Sequence, residues 1–335
     1  MQTKFGLNPE VTAIMGVFDT YLRHNQTKGE QRSYLHYHPS EFGKCLRNAQ
    51  YRLYAEMGLI KVSQEVNDSK KQRLFDKGHN MHNRWVNYAG WGGFLRGVWR
   101  CENRMCGLFD DNGDLRSNVT PEQRQEIIRK ASFRRKYGED DIHGCFRPKC
   151  CACGCYDFEY MEVAVIREDL NFKGHADMLF DFSNITSDSF KDCRLGFNID
   201  SLPKGLVVCD MKTCNSNSFR KLKKNGPTIA YIIQLIIYCN ILDCEYGLLI
   251  YECKDDSEIL SFKIDKDPDS FKIIEDQAKI MLELKDKRKL PPPRPLTKDD
   301  YECKYCNFRI VCNASGIWDK PNLSQYRKDF YKNLL

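Results

Sequence analysis

The chain has 335 residues, 41% of them hydrophobic, with 52 Lys and Arg against 46 Asp and Glu and a net charge of +6. That is enough apolar material for one large domain or two small ones, while no run is long enough to span a membrane. The first residues, Met1 to Gly6, lack the apolar stretch of a signal peptide, so the expected location is a reducing, cytoplasmic compartment. Seventeen cysteines in such a compartment argue against a disulfide framework and for metal sites. The small positive balance admits a phosphate-rich partner without requiring one.

Taken in order, residues 9–24 have the spacing of an amphipathic helix through Val11, Ile14, Met15, Phe18 and Leu22. Ser40 suits the N-cap of a second helix carrying Phe42, Cys45, Leu46 and Ala49 and ending near Gly58. A third helix is expected over 70–92, containing Gly78 and His82. Residues 96–156 differ in character, with cysteines clustered at both ends and a helix start at Thr120-Pro121, Gln123 completing a capping box. That helix, 121–136, is basic through Arg124, Arg129, Lys130, Arg134 and Arg135, and the whole segment reads as an inserted module.

Beyond it, 157–166 and 173–182 are expected as paired strands, 183–204 as a polar loop and 205–213 as a further strand. Pro227 opens an apolar helix to about Leu242, followed by strands at 246–253 and 258–264 and a helix at 268–288. The run Pro291 to Pro295 is a stiff, extended linker, and the tail from 299 holds a third cysteine cluster and a final helix. The expected fold is α/β, a small mixed sheet flanked by helices. The expected divisions are a helical part (1–95), the insertion (96–156), the sheet-bearing core (157–290) and a C-terminal region (291–335).

Asp210 and Lys212 end the apolar run from Gly205. Two residues apart in a strand, they point to the same face. A carboxylate there is a hard ligand for Mg²⁺, and the neighbouring ammonium suits an attacking water or a charged oxygen. Asp177, in Gly174-His-Ala-Asp177, supplies a second carboxylate from the strand before. His82 offers an imidazole from an earlier helix. Gln234 and Tyr238, four apart, share one face of an otherwise apolar helix. Taken singly, each has an ordinary explanation: a surface ion pair, a strand-end carboxylate, a satisfied histidine, a helix edge.

Together, the order Gly78/His82, Gly174/Asp177, Asp210/Lys212/Thr213 and Gln234/Tyr238 resembles the RecB-type nucleases of the PD-(D/E)XK superfamily. The resemblance covers roughly residues 40–315 apart from the insertion and implies a restriction-endonuclease-like core. It also implies that His82, Asp177, Asp210 and the main-chain carbonyl of Met211 bind Mg²⁺ or Mn²⁺ and that Lys212 orients the water. Gln234 and Tyr238 would position the DNA strand and the lysine, with Glu162 as an additional acidic member. The implied activity is a DNA exonuclease acting on single-stranded or end-exposed DNA in recombination, repair or processing, alongside a helicase or recombination partner. A structure-specific endonuclease and a non-catalytic DNA-binding subunit are the alternatives.

Cys303, Cys306 and Cys312 fall close together near the C-terminus, and Cys45 stands alone near the N-terminus. This pattern resembles the iron–sulfur staple of AddB-like and CRISPR-adaptation nucleases, which implies a 4Fe–4S cluster on these four thiolates. Four cysteines also suit zinc. In the insertion, Cys101/Cys106 and Cys150/Cys153 are each followed by glycine, the pattern of two zinc knuckles, with Cys145, Cys151 and Cys155 crowding the second. The basic helix there suits nucleic acid, or is simply a solvated face. Cys209 and Cys239 read as core packing.

Overall fold

A computed structural model describes residues 17, 34–61, 69–92, 94–101, 158–183, 199–294 and 297–331. The expected helix at 9–24, save Val17, and the basic helix of the insertion lie outside them. The elements run α1 (Pro39–Phe42), α2 (Leu46–Glu56), α3 (Ser69–Gly92), β1 (Leu95–Arg96), β2 (Val98–Cys101), β3 (Phe158–Met161), β4 (Val163–Arg167), β5 (Phe172–Ala176) and β6 (Met178–Phe180). They continue with β7 (Val207–Cys214), α4 (Ser216–Asn225), α5 (Ile229–Ile241), β8 (Tyr246–Cys253), β9 (Ile259–Asp265), α6 (Pro268–Asp286), α7 (Tyr301–Lys304), α8 (Arg309–Ala314) and α9 (Leu323–Tyr331). None of the helices among the described residues is long and apolar enough to cross a membrane.

The centre is a five-stranded mixed sheet in the order β1-β6-β7-β8-β9, parallel between β7 and β8 and antiparallel elsewhere. Strand alternation sorts the residues of β7. Val207, Cys209 and Met211 pack with Met81, Val86 and Ala89 of α3, whereas Val208 packs with Leu235, Tyr238 and Cys239 of α5. Asp210 and Lys212 share the parity of Val208 and so look towards α5. That helix is apolar on every side because it is covered twice. Its other flank, Ile233, Ile236 and Ile237, meets Phe271, Ile274 and Met281 of α6 and Phe42 and Leu46 of the N-terminal helices.

The structure differs from the sequence expectation in three places that matter for the site. The helix expected from Ser40 to Gly58 is broken at Gly43, where a Cβ would come within 2.1 Å of Ala230 Cα, and Cys45 becomes the N-cap of α2. The strand pair expected over 157–166 and 173–182 is interrupted on both sides, at Glu162 and at Asp177. There β4 and β5 pair with each other, while β3 goes to β2 and β6 to β1 and β7. The proline run is extended but is no free spacer. Pro291, Pro292 and Pro293 are buried, Arg47 Nη1 donates to the Pro291 carbonyl at 2.8 Å, and Tyr331 Oη donates to that of Pro292 at 3.2 Å. The insertion was expected from residue 96, but Arg96 pairs with Leu179 in the main sheet, and the strands flanking the undescribed residues 102–157 are registered neighbours, Cys101 with Phe158.

Candidate active site and cysteine cavity

The last registered pair of the β4–β5 ladder is Val163 with Ala176. Glu162 and Asp177 are therefore the next residues outward on facing strands, which is why two carboxylates separated by fifteen positions meet. One ligand atom each from His82, Glu162 and Asp177 lie within 4.8 Å of one another. Asp177 Oδ2 accepts the main-chain N–H of Met211 at 3.0 Å and stands 3.6 Å from His82 Nε2 and 3.9 Å from Lys212 Nζ.

Asp210 is fully buried one strand over. Its Oδ2 meets the Lys212 ammonium at 2.7 Å, and its Oδ1 accepts from Gln234 Nε2 at 3.1 Å. Gln234 Nε2 also donates to Tyr238 Oη at 3.1 Å, and Tyr238 Oη donates to the His175 carbonyl at 2.8 Å. Gln234 and Tyr238 thus brace Asp210 against the β5 backbone. The Lys212 ammonium lies 5.2 Å from the centre of the Tyr231 ring, a cation–π distance.

Electrostatically the carboxylates are pushed apart. Burial would raise Asp177, but the His82 contact, the Lys212 charge and the Met211 N–H hold it below the usual range. Asp210 goes the other way: burial, then the Asp177 charge, lift it to about 7 against the pull of Lys212. Glu162 is raised by desolvation of its carboxyl and by Asp177. Burial would lower Lys212, yet Asp210 and Asp177 outweigh it and keep the ammonium charged. His82 Nε2 is buried with no hydrogen-bond partner. Repelling carboxylates around an unsatisfied imidazole nitrogen are what a divalent cation would relieve, and this donor set suits Mg²⁺ or Mn²⁺.

His82, Asp177, Asp210, Lys212, Gln234 and Tyr238, predicted from scattered motifs, are brought to one place. Glu162 joins His82 and Asp177 in the tight group, while Asp210 faces Lys212 and Gln234. The signal for Glu162 was its register opposite Asp177, which is visible only once the strands are paired. Sequence reasoning missed Glu252, buried at the end of β8, which accepts from Arg84 and, at 2.6 Å, from Trp85 Nε1. Those donors follow His82 on α3, so Glu252 clamps that helix to the sheet. Arg124, Arg129, Lys130, Arg134 and Arg135 lie outside the described residues, as do Cys106, Cys150 and Cys153 of the zinc set; Cys101 closes β2.

A second constellation lies at the N-terminal end of α2, where Cys45 is the N-cap. Cys45, Cys303, Cys306 and Cys312 line one cavity of about 160 Å³. Arg294 N–H points to Cys45 Sγ at 3.4 Å and Asn48 Nδ2 to Cys306 Sγ at 3.0 Å. Burial pushes the Cys45 thiol up to about 11. Burial, then the other three cysteines, push Cys303 up to about 12. Burial also raises Cys312, so these thiols hold their protons until a metal binds and displaces them.

No protein-family profile and no curated protein matches the chain. Among solved structures, it is similar to the crystal structure of SSO0001 at 15% identity and a TM-score of 0.43, over 90% of this chain and 98% of that one. It is also similar to an alkaline exonuclease (LHK-Exo) from Laribacter hongkongensis at 16% identity and a TM-score of 0.26, over 35% of this chain and 51% of that one. Both likenesses are remote, and the chemistry rests on the residues themselves.

Proposed function

We propose that the chain is a divalent-metal-dependent deoxyribonuclease of the PD-(D/E)XK type that hydrolyses phosphodiester bonds, acting on single-stranded or end-exposed DNA. The observation that carries the reading is the meeting of Asp177, Asp210 and Lys212 with His82 and Glu162 at a break between strands. His82 Nε2 and the carboxylates of Glu162, Asp177 and Asp210 would hold Mg²⁺ or Mn²⁺. When bound, the ion neutralises phosphate charge and makes water a better nucleophile near neutral pH. Lys212 keeps a fixed positive charge beside that position, suited to an attacking water or a developing oxyanion. Gln234 and Tyr238 hold Asp210 in place, and Glu252 holds the helix that carries His82.

The cysteine cavity supports an accompanying iron–sulfur cluster on Cys45, Cys303, Cys306 and Cys312. A single zinc, with Zn–S near 2.3 Å, needs tetrahedral sulfurs about 3.8 Å apart. A 4Fe–4S cluster likewise takes four thiolates, and the order of Cys45 with Cys303, Cys306 and Cys312, which resembles the iron–sulfur staple, favours it. Its place, joining α2 to the C-terminal region, is that of a structural staple.

The test is incubation of the purified protein with end-labelled single-stranded and duplex DNA in Mg²⁺ or Mn²⁺, beside the variants Asp210→Asn and Lys212→Ala. Cleavage by the wild type, reduced at least ~10³-fold in both variants with the fold retained by circular dichroism, is the expected result. Wild-type-like cleavage by either variant overturns the site assignment. Linear and covalently closed circular single strands tested side by side separate the exonuclease reading, in which circles survive, from an endonuclease.

A further inference from the structure

The helix that follows the Asp210 strand, α4, carries Arg220, Lys221, Lys223 and Lys224 and no acidic residue. Its inner face is set by Phe219, 2% exposed, and by Leu222, both packed in the cluster between the sheet and α5. The helical repeat puts Asn217, Arg220, Lys221 and Lys224 on the opposite side, and all four are exposed. Lys223 lies off that face and pairs with Glu258. Arg220 Nη2 donates to Asn217 Oδ1 at 3.1 Å. Among the described residues neither Lys221 nor Lys224 has a carboxylate partner.

The helix is fixed in place close to the candidate site. Asn215 caps it by accepting from Ser218 N–H at 2.9 Å, and Ser216 N–H donates to Asp255 Oδ2 at 2.8 Å. Lys77 of α3 reaches the Lys254 carbonyl at 3.0 Å, closing the neighbouring turn. Four residues separate Lys212 from Ser216, roughly 13 Å of strand, and the three outward cations then span about 6 Å of helix. A polyanion whose charges repeat every few ångströms, passing the active site, meets this face within a few repeats.

We propose that the outward face of α4, through Arg220, Lys221 and Lys224, binds the phosphate backbone of the nucleic acid strand that passes the candidate active site. The inference rests on the nuclease reading and adds to it a sequence-independent backbone contact. The face has no aromatic ring for base stacking, and contacts of its cations with phosphate oxygens carry no sequence information, so it positions the strand rather than selecting its sequence.

The experiment uses the full chain in chelator, so that nothing is cut, and measures binding of a labelled single-stranded oligonucleotide by anisotropy across a salt series. The variant is Arg220→Gln/Lys221→Gln/Lys224→Gln, and Lys272→Gln/Lys279→Gln/Lys287→Gln on α6 and its C-cap, which removes the same three charges, is the control for lost charge alone. The expected result is affinity at least ~10-fold weaker for the α4 variant, with the slope of log affinity against log salt shallower by about 2 to 3, near 0.7 to 0.9 per lost contact. The control should keep the wild-type slope, and melting should be unchanged in both. An α4 variant with wild-type affinity and slope overturns the inference. So does wild-type binding to phosphatidylserine vesicles but not to the oligonucleotide, which would make the face a lipid contact. If the wild type binds through α4 but cuts nothing in any metal, the nuclease reading fails and the backbone contact stands. If the wild type cuts and the α4 variant binds normally, the contact alone fails.

Discussion

At Asp210 burial and the neighbouring Asp177 charge oppose the Lys212 ammonium, and they prevail, so the carboxyl titrates near 7 against about 3.9 when unfolded. A carboxyl raised on folding adds stability that is complete below the unfolded value and is lost as pH rises through the folded one. In chelator the wild type should therefore lose a few kcal/mol between about pH 4 and pH 8, and Asp210→Asn should remove that part of the slope. Urea melts at stepped pH check this, and parallel curves for the two proteins would refute it. Added Mn²⁺ reverses the penalty by binding the ionised form. The metal-induced rise in melting temperature should thus be larger at pH 8 than at pH 6 in the wild type, and less pH-dependent in Asp210→Asn, where only the protons of His82 and Glu162 remain to be displaced. Glu252 acts differently, through position. Glu252→Gln keeps its shape but weakens its hold on Arg84, so cleavage should fall several-fold while the pH profile of rate keeps its shape. A displaced profile would overturn the purely positional role.

The elements meet most closely where α1 ends against the first turn of α5. A methyl at Gly43 would lie 2.1 Å from Ala230 Cα and 2.7 Å from its Cβ, and backbone cannot swing away as a side chain can. Gly43→Ala should destabilise by about 1 to 3 kcal/mol through forced separation of the two helices. Ala230→Gly should not rescue it, because the closest atom is the Cα that glycine retains. Thermal melts of the single and double variants decide the matter, and full rescue would mean the clash is only with the Ala230 methyl. At α4 the cap is the sensitive point. Asn215→Ala removes the acceptor for Ser218 N–H and should cost about 1 kcal/mol, fraying the helix that carries the basic face.

At the scale of the molecule, Cys45 and the C-terminal cysteines bring together segments some 250 positions apart, and the buried proline run lies between them. Closing so long a loop removes much freedom from the unfolded chain. Protein purified without oxygen should be brown and contain iron. Cys45→Ser should lose both colour and iron and melt several degrees lower, even with the carboxylates of the candidate site intact. A colourless wild type holding zinc but no iron in elemental analysis would refute the cluster. The buried contacts of Arg47 and Tyr331 with the proline carbonyls predict that some docking of the C-terminal region persists without metal.

What the sequence determined was the composition of the parts. The alternation and apolarity of 205–213, 246–253 and 258–264 specified strands within two residues of their observed bounds, because hydrophobic periodicity is local information. Motif order singled out His82, Asp177, Asp210, Lys212, Gln234 and Tyr238, because each residue type is chemically distinctive where it stands. Tertiary structure decided what spacing along the chain cannot carry. Glu162 reaches Asp177 only because the β4–β5 register ends one residue short of both, and register is a property of two segments at once. Position 43, where the helix from Ser40 breaks, admits only glycine because α5 already occupies the space a side chain there would need. The proline run is buried because Arg47 and Tyr331, far from it in sequence, satisfy its carbonyls. Asp210 titrates near neutrality for the same reason: its burial and its charged neighbours come from strands and helices that meet only in the folded molecule.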